Sequence, residues 1–172
     1  GSGDETISAA EGAVIIDAGA GDDSIKTSNE NDTLTGGTGN DVLDGGHGDD
    51  VYIFNRGDGQ DSISELDTSI IYNLKGTPPE GYDEYYKRET IQLDGGKRGL
   101  TKDYYLKDTG NDTLLFGEGI SESDLITKAD GDNLIVALKE DGKTFEELND
   151  KIVLKDWYYK NARIETFELH DG

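Results

Sequence analysis

The chain has 172 residues, with 38 Asp and Glu against 16 Lys and Arg, for a formal net charge of −22. A surface this acidic repels nucleic-acid phosphates, and it either repels itself or holds cations. Without cysteine there is no disulfide and no zinc–thiolate site, and no apolar run nears the ~18 residues a membrane-spanning helix needs.

The 24 glycines are about twice ordinary usage. Glycine and acid together also describe a disordered tail, so the pattern must decide. From Ile7 an apolar residue returns at every ninth position: Ile16, Ile25, Leu34, Leu43 and Tyr52. Two residues before each stand Glu5, Val14, Asp23, Asp32, Asp41 and Asp50. The two most regular units are Gly36-Gly37-Thr38-Gly39-Asn40-Asp41-Val42-Leu43-Asp44 and Gly45-Gly46-His47-Gly48-Asp49-Asp50-Val51-Tyr52-Ile53. After Phe54-Asn55, a further unit runs from Arg56 to Ser64 and holds Gly57, Gly59 and Asp61. Glycine and aspartate are common turn residues anywhere, but an unbroken register argues for a repeat. Each unit reads as a six-residue turn and a three-residue strand. Glycine permits positive φ in the turn and leaves carbonyl oxygens uncovered. Aspartate adds a carboxylate, and hard Ca²⁺ takes six to eight such oxygens at ~2.3–2.6 Å. The recurring apolar residue points inward and makes a narrow core that only stacking can bury.

These units resemble the G-G-x-G-x-D-x-U-x nonapeptide of RTX proteins over about residues 1–64. The resemblance implies a calcium-binding β-roll, with strands alternating between two parallel sheets. Each turn then stacks on the turn two units later, with an ion between them. Carried onto this chain, the implied ligand turns contribute Gly19, Gly21 and Asp23, then Asp32, then Gly36, Gly37, Thr38, Gly39 and Asp41. They continue with Gly45, Gly46, Gly48 and Asp50, and with Gly57, Gly59 and Asp61. The implied pairs are Asp23 with Asp41, Asp32 with Asp50, and Asp41 with Asp61. Glu5 opposite Asp23 is a methylene too long and makes a weak site. Val14 opposite Asp32 cannot ligate and makes none, or a distorted one. About three to five ions follow.

Residues 65–107 change character, with seven basic residues against eight acids and six of the nine tyrosines. Ser69–Leu74 and Glu89–Leu93 read as strands, and Lys75–Glu84, with Pro78 and Pro79, as a loop. The stretch reads as an insertion in the repeat array. Clustered tyrosines suit either a recognition surface or amphipathic cover on a thin core.

Residues 108–172 return to the register once, at Gly110-Asn111-Asp112-Thr113-Leu114, which makes Asp112 a further candidate ligand. Ser121 with Asp124 predicts a capped helical turn. Asp130–Asn133 predicts a hairpin turn between strands Leu125–Lys128 and Leu134–Leu138. Thr144 predicts a short helix over Phe145–Leu148. Lys151–Tyr159 and Ile164–Leu169 read as strands. Asp112-Thr113-Leu114, Gly119-Ile120-Ser121, Lys155-Asp156-Trp157-Tyr158 and Ile164-Glu165 through Asp171-Gly172 are similar to the haemolysin-type calcium-binding related domain. A repeat array needs such an atypical end, and Phe116, Trp157 and Phe167 would fill it.

The expected architecture is all-β: a parallel β-roll, similar to a right-handed parallel β-helix, over 1–64, then the Tyr-rich insertion 65–107. A mostly antiparallel cap with one or two helical turns follows over 108–172. The sequence holds no H-E-x-x-H, G-x-S-x-G or P-loop motif. His47 and His170 stand alone, and His47 reads as a solvated turn residue. The chain is therefore read as non-catalytic. The resemblance implies a module of a secreted bacterial protein, exported by type I machinery, that folds on Ca²⁺ outside the cell. The alternative is an adhesin module that binds a glycan or peptide through 65–107. A third reading is the tail of a secreted enzyme.

Overall fold

The computed structural model describes residues 1–65, 71–73, 82–93, 98–107, 110–159 and 162–171. It is all-β apart from isolated helical turns. The first seven strands are β1 (Thr6–Ser8), β2 (Ile15–Ala20), β3 (Ser24–Lys26), β4 (Thr33–Thr38), β5 (Val42–Asp44), β6 (Val51–Phe54) and β7 (Gln60–Ile63). Then come β8 (Ile71–Asn73), β9 (Tyr82–Leu93), β10 (Arg98–Lys107) and β11 (Asp112–Phe116). The last four are β12 (Leu125–Asp130), β13 (Asn133–Leu138), β14 (Lys151–Leu154) and β15 (Ile164–Leu169).

Successive strands alternate between two sheets, as a nine-residue repeat requires. One sheet has the order β1-β3-β5-β7-β14-β13-β12, and the other β15-β11-β6-β4-β2. All neighbours are parallel except β14, β13 and β12, which are antiparallel. The register stacks the recurring apolar residues in two columns. Ile7, Ile25, Leu43, Ile63 and Leu154 form one. Ile16, Leu34, Tyr52, Leu114 and Phe167 form the other. Strand alternation turns these columns inward, and the core between the sheets is built from them, except at the end, where Phe167 is 40 % exposed. Ile15, one residue out of phase, is 86 % exposed. Strands β8, β10 and β9 form a separate antiparallel sheet.

The end of the roll is closed by larger side chains. Phe116 is fully buried, and Phe167 stacks on it at 6.5 Å. Trp157 packs on Phe167 at 5.5 Å, and Arg163 lies over the Trp157 ring at 5.4 Å. Both predicted caps form over single 3-10 turns, Glu122–Asp124 and Phe145–Glu147. Asp124 accepts the N–H and hydroxyl of Ser121, and Glu147 those of Thr144. The predicted hairpin pairs β12 with β13 around Gly131-Asp132. No helix among the described residues is long and apolar enough to cross a membrane.

Several boundaries differ from expectation. β2 and β4 run six residues, through Gly19 and Gly37, because those glycines still pair with each other across the sheet. The strand expected over Lys151–Tyr159 stops at Leu154, and the chain turns at Asp156, whose φ is +55°. Asp156 donates its N–H to Asn133 Oδ1 there, so a side chain replaces the ladder. Of the loop expected over Lys75–Glu84, Tyr82–Glu84 belong to β9, and 75–81 lie outside the described residues. Of the strand expected over Ser69–Leu74, Ile71–Asn73 is β8, and the remainder lies outside them. His47 is half-buried, with its N–H on the Ser28 carbonyl, rather than fully solvated.

Tight stacking of turns depends on glycine. Gly37 has φ +99°, and a Cβ there would lie 1.9 Å from the Gly19 carbonyl oxygen. Gly12 also has positive φ, +79°, but nothing lies within 4 Å of its would-be Cβ. Gly12→Ala is expected to cost about 1–2 kcal/mol for left-handed backbone alone. Gly37→Ala adds a collision with a fixed backbone atom and should exceed ~3 kcal/mol. Urea unfolding in calcium measures the difference, and equal losses would contradict the stacking.

Candidate metal centre

The turns place their last residue by a contact between layers. The backbone N–H of each donates to a carboxylate oxygen of the equivalent residue in the turn above. On one edge, Glu5 donates to Asp23 Oδ1 at 2.7 Å, Asp23 to Asp41 Oδ1 at 2.7 Å, and Asp41 to Asp61 Oδ1 at 3.0 Å. On the other, Val14 donates to Asp32 at 2.9 Å, Asp32 to Asp50 at 2.7 Å, and Asp50 to Asp112 at 2.9 Å. The steps that implied calcium pairs are therefore all brought together. Glu5 and Val14 take part through their backbone, so the contact survives where the side chain departs from aspartate.

The Asp41–Asp61 step spans 20 residues instead of 18, and the geometry is kept. Phe54 is buried in the core, and Asn55 folds onto Asp58, which accepts its N–H at 2.7 Å and its side-chain amide at 3.1 Å. The extra residues are absorbed in that local turn.

These hydrogen bonds leave the second oxygen of four of the six accepting carboxylates bare. Oδ2 of Asp23, Asp41, Asp50 and Asp112 is buried and has no hydrogen-bond partner among the described residues. A buried carboxylate oxygen without a partner is costly. Here one oxygen is pinned by an N–H and the other is presented to the gap between layers, as an oxygen ligand for a hard cation would be. The first glycine of the turn keeps that gap clear. A Cβ on Gly36 would lie 2.2 Å from Asp41 Oδ2, and one on Gly45 would lie 2.2 Å from Asp50 Oδ2. The donor set thus fits Ca²⁺: carboxylates, carbonyls and no nitrogen or sulfur.

The other candidate residues fall around the same layers. Gly19 and Gly37 stack, as do Gly21 with Gly39, and Gly39 with Gly59. Gly46 and Gly48 stack on the carbonyls of Ser28 and Glu30. The carbonyls of Thr38, Gly39, Gly45 and Gly59 each accept a hydrogen bond, from Gly21, Gln60, Thr27 and Lys151. Each retains one further lone pair. Gly57 donates its N–H to Asp150 Oδ2 at 3.0 Å.

Three acids outside the predicted set also join. Glu165 accepts the Asp112 N–H at 2.8 Å and takes the aspartate's place at the end of one edge. Asp150 meets the other edge through Gly57. Glu65 lies beside Asp50 and Asp112, and its two oxygens are buried without partners. Glu65 and Asp150 stand off the repeat's aspartate position, and Glu165 holds it, two residues before Phe167 as Asp112 is before Leu114. Their only sequence signal is the return of the register at Asp112.

Burial and like charge push these carboxyls up. Asp50 rises to about 6, chiefly by burial, then by the charges of Asp32, Asp49 and Asp44, with the Asp32 N–H opposing. Asp61 rises to about 8, chiefly by burial, then by the charges of Asp41, Asp58 and Asp150. Asp41, Asp58, Asp112 and Glu65 shift the same way, burial first in each case. Near Glu65 the one opposing influence is the Gly45 N–H, which gives its hydrogen bond to Tyr52 Oη at 2.7 Å.

A carboxyl whose pKa is higher in the folded chain binds more protons there than in the unfolded chain. Stability without metal then falls as pH rises, from the ordinary carboxylate range up through the folded values. Exposed acids such as Asp124 are shifted down, so their opposing effect lies below that window. Calcium-depleted protein should therefore hold more sheet by far-UV circular dichroism at pH 5 than at pH 8, as the folded state gains stability toward lower pH. Greater stability at pH 8 would contradict the buried ladder.

The sequence matches two family models. The RTX calcium-binding nonapeptide repeat model, of four copies, matches residues 1–29 and 26–61. The haemolysin-type calcium binding protein related domain matches residues 133–172, so the resemblance seen around Asp112–Ser121 lies outside that match. No curated protein matches the chain. The stacked aspartates and these matches together identify the chain as a calcium-binding module of the RTX type, with RTX nonapeptide repeats followed by a haemolysin-type calcium binding protein related domain.

Proposed function

We propose that this module is a calcium-operated folding switch of a secreted bacterial protein. Two edges of stacked, buried carboxylates carry the reading. Residues 1–64 hold fourteen acids against Lys26 and Arg56, a net of −12. Without a cation, this stretch repels itself and resembles an unfolded polyanion. In calcium-poor cytosol such a chain would stay extended enough to pass a type I export channel. Outside the cell, millimolar calcium would bind the folded state alone and stabilise it by mass action, about 2.7 kcal/mol per site at a hundredfold excess over Kd. Affinities of ~10⁻⁴–10⁻³ M, usual for extracellular modules, suit that switch.

In this reading residues 1–64 are the roll, 65–107 an insertion and 108–172 the cap, and the module itself is non-catalytic. The ions lie at the steps Asp23–Asp41, Asp32–Asp50 and Asp41–Asp61, and at Asp50–Asp112. The side chains of the tyrosines behind the glycan- or peptide-binding reading lie outside the described residues, and no observation favours it.

Asp41 serves two steps, so its loss should be felt twice. Asp41→Asn keeps the shape, and by native mass spectrometry and calorimetry it should weaken binding at both steps. Asp17→Asn removes the same charge from an exposed strand position and should bind like wild type. An Asp41→Asn variant with the wild-type ion count and affinity would overturn the reading.

A further inference from the structure

The turn that leaves β7 differs from those before it. In the two most regular turns the first position is glycine, Gly36 or Gly45, and the last is aspartate, Asp41 or Asp50. After β7 the first position is Glu65 and the last is Asp112, with residues 66–111 between them. The register holds on both sides of that gap. Ser64 donates its N–H to the Leu43 carbonyl at 3.0 Å, and Thr113 donates to the Asp50 carbonyl at 2.8 Å. A carboxylate therefore stands where the repeat leaves space with glycine.

One oxygen from each of Asp50, Glu65 and Asp112 lies within 4.8 Å of the others. The three residues are 0 %, 2 % and 0 % exposed. Both oxygens of Glu65, and Oδ2 of Asp50 and of Asp112, have no hydrogen-bond partner among the described residues. Three buried carboxylates this close repel one another unless a proton or a cation sits among them. Two calcium–oxygen bonds of ~2.3–2.6 Å laid end to end span about that distance, so each pair of these oxygens is close enough to share one ion. Magnesium prefers to keep several waters, which a site this enclosed does not favour.

We infer that Asp50, Glu65 and Asp112 form a three-carboxylate calcium site that staples together the two ends of the 66–109 segment. Glu65 precedes that segment and Asp112 closely follows it, so an ion held by both keeps the roll continuous across the gap. The inference rests on the calcium reading above, but it adds a ligand that the nonapeptide does not contain. It also makes this step differ from the two-aspartate steps elsewhere.

Glu65→Gln removes the charge with little change of shape. Calorimetry and native mass spectrometry of the full chain across a calcium titration should show one ion bound more weakly than in wild type. Excess magnesium should not displace that ion from wild type. Limited proteolysis within 66–109 should be faster in the variant at the same calcium concentration. Glu65→Asp, which keeps the charge on a shorter arm, should keep the fold and weaken one ion only, which covers the case where Glu65→Gln does not fold. An unchanged isotherm in Glu65→Gln or in Glu65→Asp overturns the site and leaves the three carboxyls sharing a proton. If Glu65→Gln binds every ion as wild type does while Asp41→Asn weakens two steps, the staple fails and the calcium reading stands. A wild-type chain that binds no calcium overturns both.

Discussion

The fold stacks aspartate over aspartate, and every other feature answers to that arrangement. Each carboxylate is held by one N–H from the neighbouring layer, at 2.7 to 3.0 Å. That bond sets the spacing of the turns and leaves bare oxygens facing the gap at Asp23, Asp41, Asp50 and Asp112. The hydrophobic columns inside the roll are one residue wide, so they bury little apolar area for the charge they must hold together. In the proposed reading, cation binding is the term that decides whether the roll forms. The nonapeptide is an economical solution, since the same nine residues supply the ligand, the clearance and the core.

Periodicity made the roll legible before any coordinates. A nine-residue period across two sheets puts equal positions eighteen residues apart in contact, and the register of β1 to β6 follows from it. The hairpin around Gly131 and the two capped turns were legible for a local reason, because their hydrogen bonds join residues three apart. The β6–β11 pairing was only partly legible. The Gly-x-Asp-x-Leu fragment at Gly110–Leu114 marked the return, but no period links Asp50 to Asp112 across 62 residues. Glu65 and Asp150 were missed because long-range packing, not spacing, brings them to the aspartates, and Glu165, two residues before Phe167, was missed because no nine-residue count reaches it from Asp112. Lys155–Tyr159 looked like a strand by alternation, yet Asn133 intercepts the backbone there.

The end of the array shows how an open roll is closed. Beyond β7, strand β14 continues the parallel ladder, but β13 and β12 then turn it antiparallel. On the other face β15 is the last strand, and Phe167 and Trp157 cover the core where another repeat would have sat. On one edge the aspartate column ends with Glu165 accepting from Asp112, and on the other Ile152 pairs where the next aspartate would stand. The ladder thus stops where the ligands stop, which ties the limits of the metal array to those of the fold.

The most direct test follows secondary structure as calcium is added. Chelated protein at pH 7.5 is titrated with calcium while far-UV circular dichroism is recorded, with calorimetry run in parallel. The account predicts a cooperative coil-to-sheet transition that is reversed by chelator and accompanied by uptake of several ions. A sheet spectrum already present without calcium, and unchanged by its addition, would contradict it.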